Sequence, residues 1–127
     1  MFNQLKLWLI HPADEMCAAF RERFDGLPNV EVIQARFEDL KPHDCFVTAA
    51  NAFGMMTAGI DAAVVARFGE DLMKRVQHRV MDEYLGEQPV GTAFIIETVD
   101  PEIAFVCHAP TMRVPGSIES FLKKWLE

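Results

Sequence analysis

The sequence lacks the features that would commit it to a membrane, a disulfide framework or a polyanion. None of its apolar runs approaches the length needed to cross a bilayer. Cations are outnumbered: 12 Lys and Arg face 19 Asp and Glu, for a formal charge of −7. That balance argues against a protein that coats duplex DNA or a polybasic membrane anchor, but not against a nucleotide held by backbone N–H groups. The three cysteines, Cys17, Cys45 and Cys107, are odd in number and far apart. This suits a reducing compartment, and the expected location is the cytoplasm. Each cysteine lies in an apolar segment, where it is expected as a small core residue. His11, His43, His78 and His108 lack metal-ligand spacing, so neither a metal nor a cofactor is expected. No small-residue cleavage site follows the first apolar run, which is therefore not read as a signal peptide. There are no repeats, linkers or low-complexity tracts.

What remains is enough to fold. Half of the 127 residues are hydrophobic and 24% are charged, the balance of one packed domain over 1–127. Residues 5–10 read as a strand ended by His11-Pro12. Residues 13–24 have helical spacing, with Met16, Ala19, Phe20 and Phe24 on one face and Asp14 and Glu15 in the first turn. A strand at 30–37 completes a βαβ unit, so the first two strands should run parallel. A third strand at 44–50 leads into helices at about 60–68 and 70–85, the second carrying Leu72, Val76, Val80 and Tyr84 at helical spacing and stopping near Gly86. Strands at 90–99 and 103–109 flank Asp100-Pro101-Glu102 as a hairpin. The tail from Ser117 has the pattern of an amphipathic helix. The alternation implies an α/β fold of three α/β/α layers around a mixed, largely parallel sheet of about five strands.

The stretch that resists a packing explanation is VTAANAFGMMTAGIDAAV, residues 47–64. Ligands of open α/β sheets bind beyond the carboxyl ends of the strands, and residues 51–60 fall there. Gly54 and Gly59 permit positive φ and close backbone approach. The helix that starts near Gly59 presents N–H groups with no partner inside the helix, a ready place for a phosphate. Asn51 offers a donor and an acceptor together, suited to paired ribose hydroxyls. A plain strand-to-helix connection with a capping asparagine accounts for the same residues.

DCFVTAANAFGMMTAGIDAAV resembles the signature of macrodomains, which bind ADP-ribose: a third strand of the form Asp-x-x-Val-Asn-Ala-Ala-Asn, a glycine-rich loop, then Val or Ile before Asp at a helix start. The match falls at Asp44, Val47, Ala49, Ala50, Asn51, Gly59, Ile60 and Asp61. Asn-x-Phe-Gly-x-Met resembles a phage-related and bacterial subgroup, as do VGTAFIIET and FVCHAPTMRVP. The resemblance covers about 30–116. It implies that Asn51 contacts the distal ribose, that the loop Thr57, Ala58, Gly59 and Ile60 takes the diphosphate, and that Asp39, ahead of its neighbour Glu38, receives the adenine amino group with the Leu40 N–H beside it.

The pattern departs from the family in two places. Thr57 and Ala58 stand where glycine is common, adding Cβ atoms and losing easy access to positive φ. The usual further strand and second phosphate loop have no counterpart, so a partner copy completing the sheet, a rearranged strand order or a shortened chain are all open, and affinity is expected nearer millimolar than nanomolar. The leading reading is an ADP-ribose-binding module, acting on free ADP-ribose or ADP-ribosylated protein. An ADP-ribosyl or ADP-ribose-phosphate hydrolase, with Asn51 positioning ribose and water, and a degenerate assembly domain are the alternatives. Cys107 and His108 point to opposite faces of one strand and do not form a nucleophile–base pair; His108 is expected at a strand end. Arg113 is either a phosphate contact or a solvated arginine.

Overall fold

The computed structural model describes residues 5–114, which form two compact units, one up to Leu40 and one from Lys41 onward. The tail helix expected from Ser117 lies outside the described residues.

In the first unit, β1 (Leu7–His11), α1 (Asp14–Phe24) and β2 (Val30–Gln34) form the expected βαβ unit, with β1 and β2 parallel in the register Leu7↔Val30 to His11↔Gln34. Asp14 and Glu15 occupy the first turn of α1, where the helix dipole favours carboxylates. The buried residue of α1 is Cys17, whose thiol donates to the His11 carbonyl at 3.2 Å, while Met16 is 42% exposed. The face expected from Met16 is thus rotated by about one position. A 3-10 turn, Phe37–Asp39, ends the unit with Phe37 buried.

The second unit holds β3 (Cys45–Asn51), α2 (Gly59–Phe68), α3 (Glu70–Tyr84), β4 (Phe94–Glu97) and β5 (Phe105–Met112). The strand order is β3-β5-β4: β3 and β5 are parallel, and β4 and β5 form the expected antiparallel hairpin. The five strands are paired as a two-stranded parallel sheet in the first unit and a three-stranded mixed sheet in the second. β4 is shorter than expected, because residues 90–93 form a turn in which Gly91 has φ +94° and the Thr92 N–H donates to the Pro89 carbonyl. β5 runs three residues further than expected, to Met112.

Period-2 alternation makes this sheet two-sided. Phe46, Thr48 and Ala50 of β3, Val106 and His108 of β5, and Phe94 and Ile96 of β4 are buried. α2 and α3 supply Val64, Leu72, Val76 and Val80 to the core, each at most 1% exposed and each worth roughly 1.5–3 kcal/mol of burial. The opposite set, Cys45, Val47, Ala49, Ile95 and Phe105, is exposed. Cys45 is thus on the open side of the sheet and not in the core, because odd positions of β3 face away from α2 and α3. His108 corrects the other expectation: it sits in the middle of the buried face and not at a strand end. α3 stops at Tyr84 through Leu85, which takes the left-handed conformation, followed by Gly86 at φ +101°. Among the described residues no helix is long and apolar enough to cross a membrane.

β4 is an edge of this sheet among the described residues, and α3 blunts it. Arg75 donates through Nη1 to the Glu97 carbonyl at 2.7 Å, and Arg79 donates through Nη1 to the Ile95 carbonyl at 2.6 Å. The Arg79 guanidinium also lies 4.4 Å from the Phe94 ring centroid. Filling the carbonyls of an apolar edge strand with arginine donors removes part of the template that a second strand would use. Replacing Arg75 and Arg79 together by Ala should lower the unfolding free energy by about 1–3 kcal/mol in a urea titration. It should also give stronger concentration-dependent association in sedimentation velocity than the wild type shows.

Candidate ligand-binding site

The site is built at the carboxyl end of β3. Asn51, 4% exposed, ends the strand and turns its carboxamide into the loop that follows. Its Oδ1 accepts from the N–H groups of Phe53 and Met55, both at 3.1 Å, and its Nδ2 donates to the Met55 carbonyl at 2.8 Å. The Gly54 N–H adds a backbone bond to the Asn51 carbonyl at 3.3 Å. One Nδ2 hydrogen remains beyond these bonds. Asn51 is therefore the clamp of the loop, a role that its residue type alone does not reveal.

The loop has an inner and an outer side. Ala52 and Met56 are buried at 1% and 2% exposure, whereas Met55, Thr57, Ala58 and Gly59 are exposed. Gly54, with φ +68°, packs against α3: a Cβ there would lie 3.1 Å from Val76 Cγ1, and its carbonyl accepts from Gln77 Nε2 at 3.1 Å. The close approach that Gly54 permits is thus to a helix of the same chain and not to a ligand. Gly59, at φ +58°, has open space where a Cβ would stand. Ala58 is extended at φ −144° and ψ 158°, and Thr57 is not among the positive-φ residues. Their Cβ atoms consequently cost the backbone nothing, and the expected loss of conformational access at these two positions does not arise.

Ala58 is the N-cap of α2 and supplies no side-chain cap. The first bond of the helix runs from the Ala62 N–H to the Ala58 carbonyl at 3.4 Å. Among the described residues nothing pairs with the N–H groups of Gly59 and Ile60, which open on the exposed side of the loop. The arrangement can receive an anion, since backbone donors and the positive end of the helix dipole converge there.

Next along the chain, in the first turn of α2, is a carboxylate that the sequence marks only as a motif residue. Asp61, 4% exposed and in the first turn of α2, accepts a short hydrogen bond from Thr48 Oγ1 on β3. Burial raises its pKa above the ordinary carboxylate value, and the Thr48 hydroxyl opposes the rise. The signal in the sequence was the period-2 alternation, which places Thr48 on the face that α2 covers.

His108 pairs in register with Thr48, is fully buried, and stacks on Phe94 with centroids 5.2 Å apart. Gln88, also fully buried, clasps it: Oε1 lies 2.7 Å from Nδ1, and Nε2 donates to the His108 carbonyl at 3.3 Å. Among the described residues Nε2 of His108 has no partner. Burial pushes its pKa down to about 4.

Asp39 and Leu40 belong to the first unit. Asp39 closes the 3-10 turn and is exposed, and the Leu40 N–H donates to the Phe37 carbonyl at 3.3 Å, so that donor is engaged in the turn. Arg113, just past β5, is paired with Glu87 and lies 5.6 Å from the Phe53 ring centroid. No group of three or more His, Cys, Asp or Glu able to hold a metal occurs among the described residues.

A family model described as Macro domain matches residues 47–124, more than half of the sequence. The chain belongs to the macrodomain family. Comparison with curated proteins found no match. The macrodomain of Mycobacterium tuberculosis DarG is similar in structure, with a TM-score of 0.53 and 17% identity over 67% of this chain and 55% of that one. A mutant of the Oceanobacillus iheyensis macrodomain has a TM-score of 0.49 and 26% identity over 53% of this chain and 36% of that one. The likeness to DarG shows a shared α/β macrodomain fold, and this macrodomain spans only 55% and 36% of the lengths of these two chains.

The buried groups set two measurable pH responses. A histidine whose folded pKa is about 4 against an ordinary 6.5 binds its proton more tightly when unfolded. Its neutral burial is fully compatible with folding above pH 6.5, and stability falls as pH drops from there toward 4, by up to about 3 kcal/mol. Asp61 acts in the opposite sense: its raised pKa makes folding most favourable when it is protonated, and stability is lost as pH rises above 3.8. Urea titrations from pH 7 to 4 should show the His108 slope, and His108→Gln should flatten it. Thr48→Val should cost about 1–3 kcal/mol at pH 7, where Asp61 loses its donor while charged, and less at pH 4.

Proposed function

We propose that this macrodomain binds ADP-ribose, free or attached to protein, with the diphosphate over the N-terminus of α2 and the distal ribose beside Asn51. Family membership supports an ADP-ribose binding or processing module in general terms. The observation that carries the specific reading is the open start of α2: exposed Thr57, Ala58 and Gly59, with the Gly59 and Ile60 N–H groups unpaired among the described residues, held in place by the three bonds of the Asn51 carboxamide. The Asn-x-Phe-Gly-x-Met motif supports placement in a phage-related and bacterial subgroup, and the cysteine usage supports a cytoplasmic protein.

Hydrolysis is a second reading, favoured by one observation. Asp61 is a buried carboxylate in the first turn of α2, two residues past Gly59, and burial raises its pKa, which suits a general base. In that reading water attacks the anomeric carbon of the distal ribose, its proton passes to Asp61, and the bond to the acceptor oxygen breaks with its electron pair, releasing the acceptor side chain as a carboxylate.

Calorimetry with ADP-ribose tests the binding reading. Wild-type protein should bind, and Asn51→Ala should weaken binding about tenfold or more, because the loop loses bonds worth about 1 kcal/mol each. Gly59→Ala should weaken it several-fold through the strain of a Cβ at positive φ, roughly 1 kcal/mol. Asp61→Asn should keep binding and abolish release of ADP-ribose from an ADP-ribosylated protein if the hydrolase reading holds. Absence of binding by folded wild-type protein would leave the assembly-domain alternative.

A further inference from the structure

Arg113 stands at the carboxyl end of the β3/β5 pair, the end from which the loop leads to α2. The other described cations of the second unit belong elsewhere. Arg67 is bound to Asp100 and Glu102 at the β4–β5 turn, Arg75 and Arg79 cover the β4 edge, Lys41 precedes β3, and Lys74 lies on α3. β3 and β5 are parallel and Asn51 pairs with Met112, so Arg113 leaves the sheet on the same side as the loop. The Ala52 N–H is shared between the carbonyls of Met112 at 3.1 Å and Arg113 at 3.2 Å, which ties the Arg113 backbone to the first residue of the loop. Its guanidinium then lies 5.6 Å from the ring centroid of Phe53, whose N–H is held by Asn51 Oδ1. The clamp that sets the loop therefore also sets the surface on which the arginine rests.

The partner of Arg113 is easily exchanged. Only its Nε is engaged among the described residues, by a carboxylate oxygen of Glu87, and the two side chains are 66% and 43% exposed. A pair so open to water is weak and screened by salt. The remaining guanidinium donors match phosphate oxygens in a fork that lysine could not reproduce.

We propose that Arg113 is a phosphate-binding residue of this site, exchanging Glu87 for the diphosphate of the ligand while Phe53 holds the plane of its guanidinium. The inference rests on the reading that a diphosphate binds over α2. Glu87 is then a competing anion, which keeps Arg113 placed in the free protein and lowers affinity.

The test is a set of titrations with ADP-ribose and, separately, inorganic pyrophosphate, at low and high salt, into wild type, Arg113→Ala, Arg113→Lys and Glu87→Gln, each checked for folding by circular dichroism. Arg113→Ala should weaken binding about tenfold and flatten its salt dependence, Arg113→Lys should recover part of the loss, and Glu87→Gln should tighten binding about threefold. Wild-type affinity in Arg113→Ala would overturn the proposal. So would equal weakening by Arg113→Ala and Glu87→Gln, the mark of a pair that only braces the rim. Pyrophosphate binding that depends on Arg113, without ADP-ribose binding, would refute the proposed function and keep the anion site. Binding of neither probe by wild type would refute both.

Discussion

The carboxamide of Asn51 is the interaction on which the site depends. A strand that ends on a buried face must turn sharply before a helix can begin, and the loop N–H groups need partners while it does so. One side chain meets that need by accepting from two loop N–H groups and donating to one loop carbonyl within five residues. With the loop closed, Ala52 and Met56 face inward and Thr57 to Gly59 face water. The start of α2 is thereby presented and not buried. An apolar residue at position 51 would leave buried polar groups of the loop unsatisfied, a penalty larger than the modest gain from each bond when made.

A second layer of constraint lies under this clamp. Thr48, His108 and Gln88 are fully buried, and Asp61 nearly so, yet the polar contacts are few and specific: hydroxyl to carboxylate between β3 and α2, and carboxamide to imidazole between the 86–92 segment and β5. Gln88 also anchors the site from behind, since its N–H donates to the Ala52 carbonyl at 2.8 Å. Such a network fixes the position of the loop relative to the sheet, at the cost of two ionisable groups held away from their ordinary pKa values. The same geometry gives Asp61 the chemical character that a hydrolytic reading requires.

How much of this could be read from the sequence depended on whether a signal was periodic or relational. The alternation of β3 and the spacing of Leu72, Val76 and Val80 identified a half-buried strand and an amphipathic helix, because burial leaves its period in the chain. Asp100-Pro101-Glu102 marked the hairpin for the same local reason. Gly54 was recognised as special, but its partner was misassigned, since nothing local states whether a close backbone approach is to a ligand or to α3. Ala58 seemed unfavourable only on the assumption that its φ should be positive, and the structure places it in extended backbone. Cys45 looked like a core residue by type but lies on the open face by parity. Asp61, matched as a motif residue, gained chemical significance only when β3 brought Thr48 beneath it.

The central claim is that a diphosphate-bearing ligand is received at the N-terminus of α2. Backbone amide NMR of the folded protein during addition of ADP-ribose tests it most directly, because the amides said to bind the ligand are observed individually. The largest shift changes should fall at Gly59, Ile60 and Asp61, with smaller ones through Phe53 to Thr57 and none at the β4–β5 turn at residues 98–103. Saturable changes confined to that turn or to the exposed sheet face of Val47, Ile95 and Phe105, with the α2 amides unmoved, would contradict it.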